Sequence, residues 1–331
     1  MFILETYSTA VIFCIITMLC WGSWANTQKL AAATWRFELF YWDYVIGIVI
    51  TTLILAFTLG SSGTQGRGFM DDLAQADGYQ LRSAFIGGVI FNAANILLVA
   101  AISMAGMSVA FPVGIGIALV LGVVVNYIDT PQGNAIYLFA GVALIALAIV
   151  LNARAYKRMS TASASPSTRG LAISVLAGLL MSFFYRFVAQ SMFADFTVPE
   201  AGKLSPYTAM VLFAVGILAS NFLFNTYIMR RPFSGAPVAF TSYFKGSVRN
   251  HFTGILGGII WCVGMSFSII ASGKAGAAIS YGLGQGATIV AAVWGIFIWR
   301  EFKNAPKGVP ALLNTMLLLY LAGIALVIYA R

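Results

Sequence analysis

The sequence predicts an all-α integral membrane protein of ten transmembrane helices, arranged as a 5+5 inverted repeat. Three observations predict it: the composition, the length of the apolar runs, and an internal match at an offset of 170 residues. Hydrophobic residues fill 60% of the 331 positions and charged residues 9%, against about 45–50% and 25% in a soluble domain. A soluble chain needs charge to cover its surface. Hydrocarbon demands the reverse: an apolar exterior and a backbone that bonds to itself inside helices. The lipid bilayer is therefore the chain's solvent and first partner.

Runs of roughly twenty apolar residues, enough to cross about 30 Å of hydrocarbon, fall near 8–26, 39–60, 82–103, 107–128, 134–153, 170–190, 206–229, 252–271, 277–299 and 310–330. Tight connections at Met104-Ala-Gly-Met and Ser272-Gly-Lys-Ala-Gly separate the third run from the fourth and the eighth from the ninth. The first run is read as a retained helix, because Glu5 precedes it and no Lys or Arg occurs before Lys29, unlike the basic flank of a secretory leader. The Ser-, Thr- and Ala-rich stretch 159–169 reads as a cytoplasmic linker. It divides a five-helix half, 1–158, from a second, 170–331.

Placing Gly87-Gly-Val-Ile-Phe on Gly257-Gly-Ile-Ile-Trp also aligns Ala101 with Ala271, Gly114 with Gly284 and Gly116 with Gly286. An odd number of helices per half inverts the second half in the membrane. That is the architecture of alternating-access transporters, whose sites lie near the midplane between the halves.

The net charge of +9 lies in loops and forms no stripe for nucleic acid. Lys29, Arg36, Arg154, Lys157, Arg158, Arg169, Arg230, Arg231, Lys245, Arg249, Arg300, Lys303 and Lys307 follow odd-numbered helices, whereas only Arg67, Arg82, Lys203, Lys274 and Arg331 fall on the other side. By the positive-inside rule the first set is cytoplasmic. Both termini are then expected outside a multi-pass protein of the cytoplasmic membrane. Cys14, Cys20 and Cys262 sit in apolar runs without CxxC spacing, so neither a metal site nor a disulfide framework is indicated. No nucleophile-and-base pair or phosphate loop points to an enzyme, and no cofactor is expected.

Around these elements the chain resembles the drug/metabolite transporter superfamily, in the stretch Ala278-Ile-Ser-Tyr-Gly-Leu-Gly-Gln-Gly that leads to Trp299-Arg-Glu-Phe. It looks most like the ureide permeases and the related glucose/ribose porter group, through Trp21-Gly-Ser-Trp, Asp43-Tyr44, Gly87-Gly88 with Asn95, Gly106-Met-Ser-Val, Asn126-Tyr127, and Gly257-Gly258 with Trp261 and Gly264. The resemblance implies a secondary transporter, a permease favouring uptake of a small, uncharged polar solute such as a ureide, nucleobase or sugar. H+ or Na+ is the implied coupling ion, and the Asp-Tyr pair makes Asp43 a coupling candidate against a plain helix-capping role. The competing readings are an exporter of amphipathic drugs or metabolites, and a membrane scaffold or sensor.

Intramembrane polar groups mark the candidate site, because they usually face the interior or a cavity. Tyr281, Gln285 and Thr288 stand at i, i+4 and i+7 and share one face of a continuous helix; Gln285 either meets solute there or bonds a neighbouring helix. Asn92 and Asn95, at i and i+3, divide evenly between solute contact and helix gluing. Trp261 lies at the same level in the eighth run, and Trp21 is placed to stack on a planar solute. Trp24 reads as an interfacial anchor and His251 as a solvated loop residue. Arg186, beside Tyr185 in the sixth helix, is expected about 22 Å into the membrane. Its fork can donate to carbonyls or hydroxyls, or its stem can snorkel or pair with Asp195.

Overall fold

Every N–H and C=O in hydrocarbon must find its partner within its own segment, and this chain meets the demand with helix. In the computed structural model 78% of the described residues are helical, and they form no strand. The structure describes the whole chain apart from residues 33, 106, 160–166, 234 and 301. Most of the predicted linker therefore lies outside the described residues.

The elements are α1 (Tyr7–Ser23), α2 (Asn26–Leu30), α3 (Phe37–Phe57), α4 (Phe69–Gln75), α5 (Gly78–Ala105), α6 (Met107–Asp129), α7 (Ala135–Met159), α8 (Thr168–Ser191), α9 (Pro206–Arg230), α10 (Val248–Ala275), α11 (Ala277–Gln285), α12 (Ala287–Val293), a π turn (Trp294–Ile298) and α13 (Val309–Tyr329). Among the described residues, eight helical segments, counting α11 through the π turn as one, are long and apolar enough to cross a membrane; α1 and Val113–Asp129 of α6 are apolar but shorter. Side-chain oxygens start several of them. Thr6 accepts from Thr9 N ahead of α1, Ser205 from Thr208 N ahead of α9 with Pro206 at the first helical position, and Ser247 from Asn250 N ahead of α10. These caps satisfy orphan donors of the first turn. Between α10 and α11 the turn hinges on Gly276, at φ +82°, packed on Gln132. That left-handed conformation favours glycine.

Two ends of the bundle are tied separately. At one, Ala32 N donates to Asn250 Oδ1 at 3.0 Å, Arg249 Nε to Leu30 O at 3.1 Å, and Trp299 Nε1 to Asn26 Oδ1 at 2.7 Å. At the other, Asp77 N donates to Gly202 O at 2.8 Å, Ser205 N to Asp72 Oδ2 at 2.7 Å, and Tyr7 OH to Ile328 O at 2.7 Å. Among the described residues, the first end carries those of 24–36, 154–159, 167–169, 230–249 and 299–308; the second carries 58–77, 129–134 and 192–205. The large lateral interfaces join early helices to late ones: α5 on α8 and α9, α10 on α1 and α3, α6 on α8 and α11, α7 on α13, and α3 on α9. Outward, apolar side chains such as Leu223 and Leu318 remain exposed, as a lipid-facing surface requires.

Two crossings bring backbones into contact. A side chain at Gly88 would strike the carbonyl oxygen of Phe213 where α5 crosses α9, and one at Gly258 would strike that of Tyr44 where α10 crosses α3. Hydrocarbon tails are as apolar as Leu, so close packing, rather than a hydrophobic force, holds membrane helices together. Gly88→Val and Gly258→Val are each expected to lower stability by about 1–3 kcal/mol through overpacking. The melting temperature of the purified protein in detergent would report it, and an unchanged value for either variant would show slack at that crossing.

Candidate functional site

The ninth apolar run does not form one regular helix. After Gln285 the chain turns at Gly286 (φ −60°, ψ −7°) and restarts as α12. It then widens into a π turn closed by Trp299 N on Trp294 O at 2.9 Å. Breaks and π turns inside membrane helices are tolerated where they face protein or a cavity. Here Gln285 and Thr288, on either side of the break, face one cavity, and Gly295 of the π turn faces a second that adjoins it.

The walls of the first come from both parts of the chain. Trp21 and Trp24 at the end of α1, Phe91 and Asn95 of α5, Met181 and Phe184 of α8, Trp261 of α10, and Gln285 and Thr288 flanking the break line it; none of its lining residues carries a charge. Trp21 and Trp261 lie nearly parallel, with ring centroids 6.2 Å apart and 12° between planes, and Phe91 packs on Trp261 at 4.4 Å. Trp24 rests on Tyr44 at 4.8 Å. The Trp21 indole N–H and the Tyr44 hydroxyl are buried without a hydrogen-bond partner among the described residues. Unpaired buried donors are scarce in native proteins. The second cavity shares Trp21, Trp24 and Thr288 and runs past Asn26, Lys29, Tyr156 and Trp299. The lined space thus opens toward the end bearing α2 and the last turns of α7.

Five residues singled out from sequence meet here: Trp21, Asn95, Trp261, Gln285 and Thr288. The Thr288 hydroxyl is already occupied, donating to Gln285 O at 3.2 Å and accepting from Tyr320 at 2.6 Å. Four others lie elsewhere. Asn92 is fully buried, bonded to Tyr41 and Ser220. Tyr281 lies a turn from Gln285, its ring slotted where Gly122 lacks a side chain and its hydroxyl on Ala118 O and Met181 O, both at 3.1 Å. The break at Gly286 ends the continuous face expected for Tyr281, Gln285 and Thr288. Tyr185 bonds Ser268 at 3.2 Å. Because Tyr185 faces the core, Arg186, 100° further round the helix, faces α6. There its Nε lies 2.5 Å from Asp129 Oδ2, which also accepts from Gln190 at 2.8 Å. The partner is thus Asp129 and not Asp195, and the guanidinium stays out of the cavity.

Two further expectations are corrected. Trp24 is a cavity wall, turned inward where α1 ends, and shares a face with Trp21 at i+3. His251 is no solvated loop residue: it stands in the first turn of α10, with Nδ1 3.0 Å from both oxygens of Asp43. Asp43 is 1% exposed and also accepts from Tyr243 OH at 2.5 Å. Burial and the adjacent carboxylate hold the Tyr243 phenol well above its usual pKa, so it remains a donor. Phe91, Phe184 and Met181 were not singled out from sequence, since an apolar residue in an apolar helix gives no signal. Asp43→Ala would leave Tyr243 and His251 without their shared acceptor. A stability loss of about 1–3 kcal/mol is expected, read as a lower melting temperature; an unchanged one would reduce the trio to incidental neighbours.

Known proteins give this geometry a family. A solved crystal structure shares the fold, with a TM-score of 0.65 at 17% identity over 98% of this chain and 99% of that one. Among curated proteins, ureide permease 1 and ureide permease 2 of Arabidopsis thaliana are each 22% identical over 98% of this chain, covering 97% and 98% of their own lengths. A probable ureide permease A3 of Vigna unguiculata is 27% identical over 49% of this chain and 44% of its own. The family model described as ureide permease matches residues 40–165 and 152–330, and the chain accordingly belongs to the ureide permease family, whose members are membrane transporters and not enzymes.

Proposed function

We propose that this permease carries a small, planar, uncharged solute bearing N–H and C=O groups, a ureide or nucleobase, by alternating access between two five-helix halves. The observation that carries the reading is the cavity wall: three indoles and two carboxamides, Asn95 and Gln285, with no charge among the lining residues. Aromatic faces take up a flat ring, and carboxamides supply both donors and acceptors to an amide edge. A charged solute would lose its hydration without a counter-charge. The names of the curated relatives point the same way.

Repeated crossings support the inverted repeat. Gly47 meets Ile255 O on one side, and Gly216 meets Phe85 O on the other; both partners recur at an offset of 169–170 residues, as do Gly88 and Gly258. The basic residues cluster at the end toward which the cavity opens. On the positive-inside rule we therefore read the structure as open to the cytoplasm, with both termini outside the cytoplasmic membrane. Asp43 and Arg186, both away from the cavity, are assigned here to ion coupling and to closure of the outer end.

Liposomes holding the purified protein should exchange labelled allantoin or uracil, and Gln285→Leu should cut exchange at least about ten-fold, since a buried ligand amide loses its partner. Running the assay with and without a proton or sodium gradient tests Asp43: Asp43→Asn should retain exchange and lose accumulation. Absence of flux for every ureide and nucleobase would rule the solute class out. For topology, cysteines placed at Pro237 and Arg331 should react with impermeant reagents from the cytoplasmic and outer sides respectively. The reverse pattern would invert the orientation.

A further inference from the structure

Behind the cavity wall a chain of hydrogen bonds runs in one direction only. Its anchor is backbone: the Ile217 carbonyl of α9, which can accept but never donate. Asn92 Nδ2 donates to it at 3.3 Å and to Ser220 Oγ at 2.9 Å. The Ser220 hydroxyl lies 2.7 Å from Gly216 O and 3.1 Å from Ile217 O; both are carbonyls that can only accept, so its proton goes to one of them and Ser220 accepts from Asn92. With both bonds made by its NH2 group, Asn92 must turn its carbonyl oxygen to Tyr41, whose hydroxyl donates to it at 2.9 Å. Tyr41 has one hydroxyl proton. Toward Asn95 it can therefore only accept, and Asn95 Nδ2 lies 3.1 Å away. Tyr41, Asn92 and Ser220 are 0%, 0% and 5% exposed, so bulk water does not scramble the order. Asn95 alone reaches the cavity.

We propose that Tyr41 is a positioning residue: it fixes the Asn95 amide so that its carbonyl oxygen faces the cavity as an obligate acceptor, and the transporter thereby selects solutes that present an N–H or O–H donor there. This rests on reading the cavity as the solute site, and it adds a direction to that site. An amide by itself is indifferent, since half a turn exchanges its donor and acceptor ends. Here the half turn would set the Asn95 oxygen against a tyrosine oxygen whose proton is committed elsewhere. Reversing the whole chain fails at Ile217, which has no proton to give. The cavity therefore presents an acceptor from α5, although the residue that presents it is ambivalent by chemistry.

Counterflow competition in proteoliposomes of wild type and Tyr41→Phe tests the proposal, using matched pairs: uracil with 1-methyluracil and 3-methyluracil, and glucose with its O-methyl ethers. In wild type, methylation at one donor position should weaken competition about ten- to a hundred-fold, as expected when a buried acceptor is left unpaired. In Tyr41→Phe, the same penalty should shrink to within about three-fold, because the released amide can turn its NH2 to an acceptor-only solute. Tyr41 does not line the cavity, so a purely steric clash with the methyl group would persist in the variant. Asn92→Ala, which frees the Tyr41 proton, should give the same loss of discrimination and serves if Tyr41→Phe does not fold. Discrimination intact in either folded variant overturns the proposal, as does a wild type in which every methylated compound competes as well as its parent. Discrimination confined to the sugar pair would keep the Tyr41 role while removing the heterocycle as the solute.

Discussion

The absence of water inside hydrocarbon is the constraint on which the rest of this structure depends. It forces the backbone into helices whose polar groups are paired along each segment, and it makes any interruption meaningful. The clearest interruption is the ninth span, where the Gln285–Gly286 break and the π turn beyond it release the regular pattern next to the cavity. Some freed groups are recovered locally, as when Thr288 donates to the Gln285 carbonyl. The span thus gives up regularity where polar groups reach the cavity. Elsewhere the span is enclosed by protein, its Ser280, Tyr281 and Leu283 all buried.

Packing in such a medium rests on contact rather than on expulsion of water. Glycines at the α3–α10 and α5–α9 crossings let carbonyls approach to distances that any side chain would forbid. These interfaces join early helices to late ones and surround the cavity. The proposed rocking of one half against the other would need interfaces with few interlocked side chains, and backbone-on-backbone crossings are of that kind. Heavier locks lie toward the end away from the cavity mouth, where Tyr185 bonds Ser268, Ser280 donates to the Ser268 carbonyl at 2.6 Å, and Arg186 meets Asp129. Near the mouth, Trp294 and Trp299 tie the π turn to Ser23 and Asn26, leaving the route past Lys29 and Tyr156 open.

Polar side chains between the helices divide into those that hold the wall and those that form it. Asn92, Ser220 and Tyr41 are satisfied by one another, by the Ile217 and Gly216 carbonyls and by Asn95, while Asn95 and Gln285 reach the cavity. A satisfied network in low dielectric is stiff, because each bond strengthens its neighbour and a missing partner is expensive. The same reasoning places Asp43, His251 and Tyr243 together: a carboxylate with 1% exposure needs donors on each open side, and two separate segments deliver them.

How much of this was legible in the chain depends on the distance over which each feature is decided. Apolar runs are local, so the expected 206–229 and 252–271 correspond to α9 and α10 with a few residues added at the ends. The Gly87-Gly88 and Gly257-Gly258 match was visible as well, since glycine at a helix crossing leaves its mark in the sequence. Trp21, Asn95, Trp261 and Gln285 were identifiable because aromatic and amide groups are conspicuous in apolar helices. Their neighbours were not sorted correctly by the same rule. Tyr281, Asn92 and Arg186 look equally out of place in hydrocarbon, yet which of them meets solute depends on helix rotation, the break at Gly286 and partners more than fifty positions away. The sequence by itself determined that this chain lives in a bilayer, which segments are apolar enough to cross it, and which residues are too polar to lie in lipid. Only the tertiary structure decided which of those polar groups are consumed by one another and which are left facing the cavity, because hydrogen-bond satisfaction is a property of neighbours in space and not of neighbours in the chain.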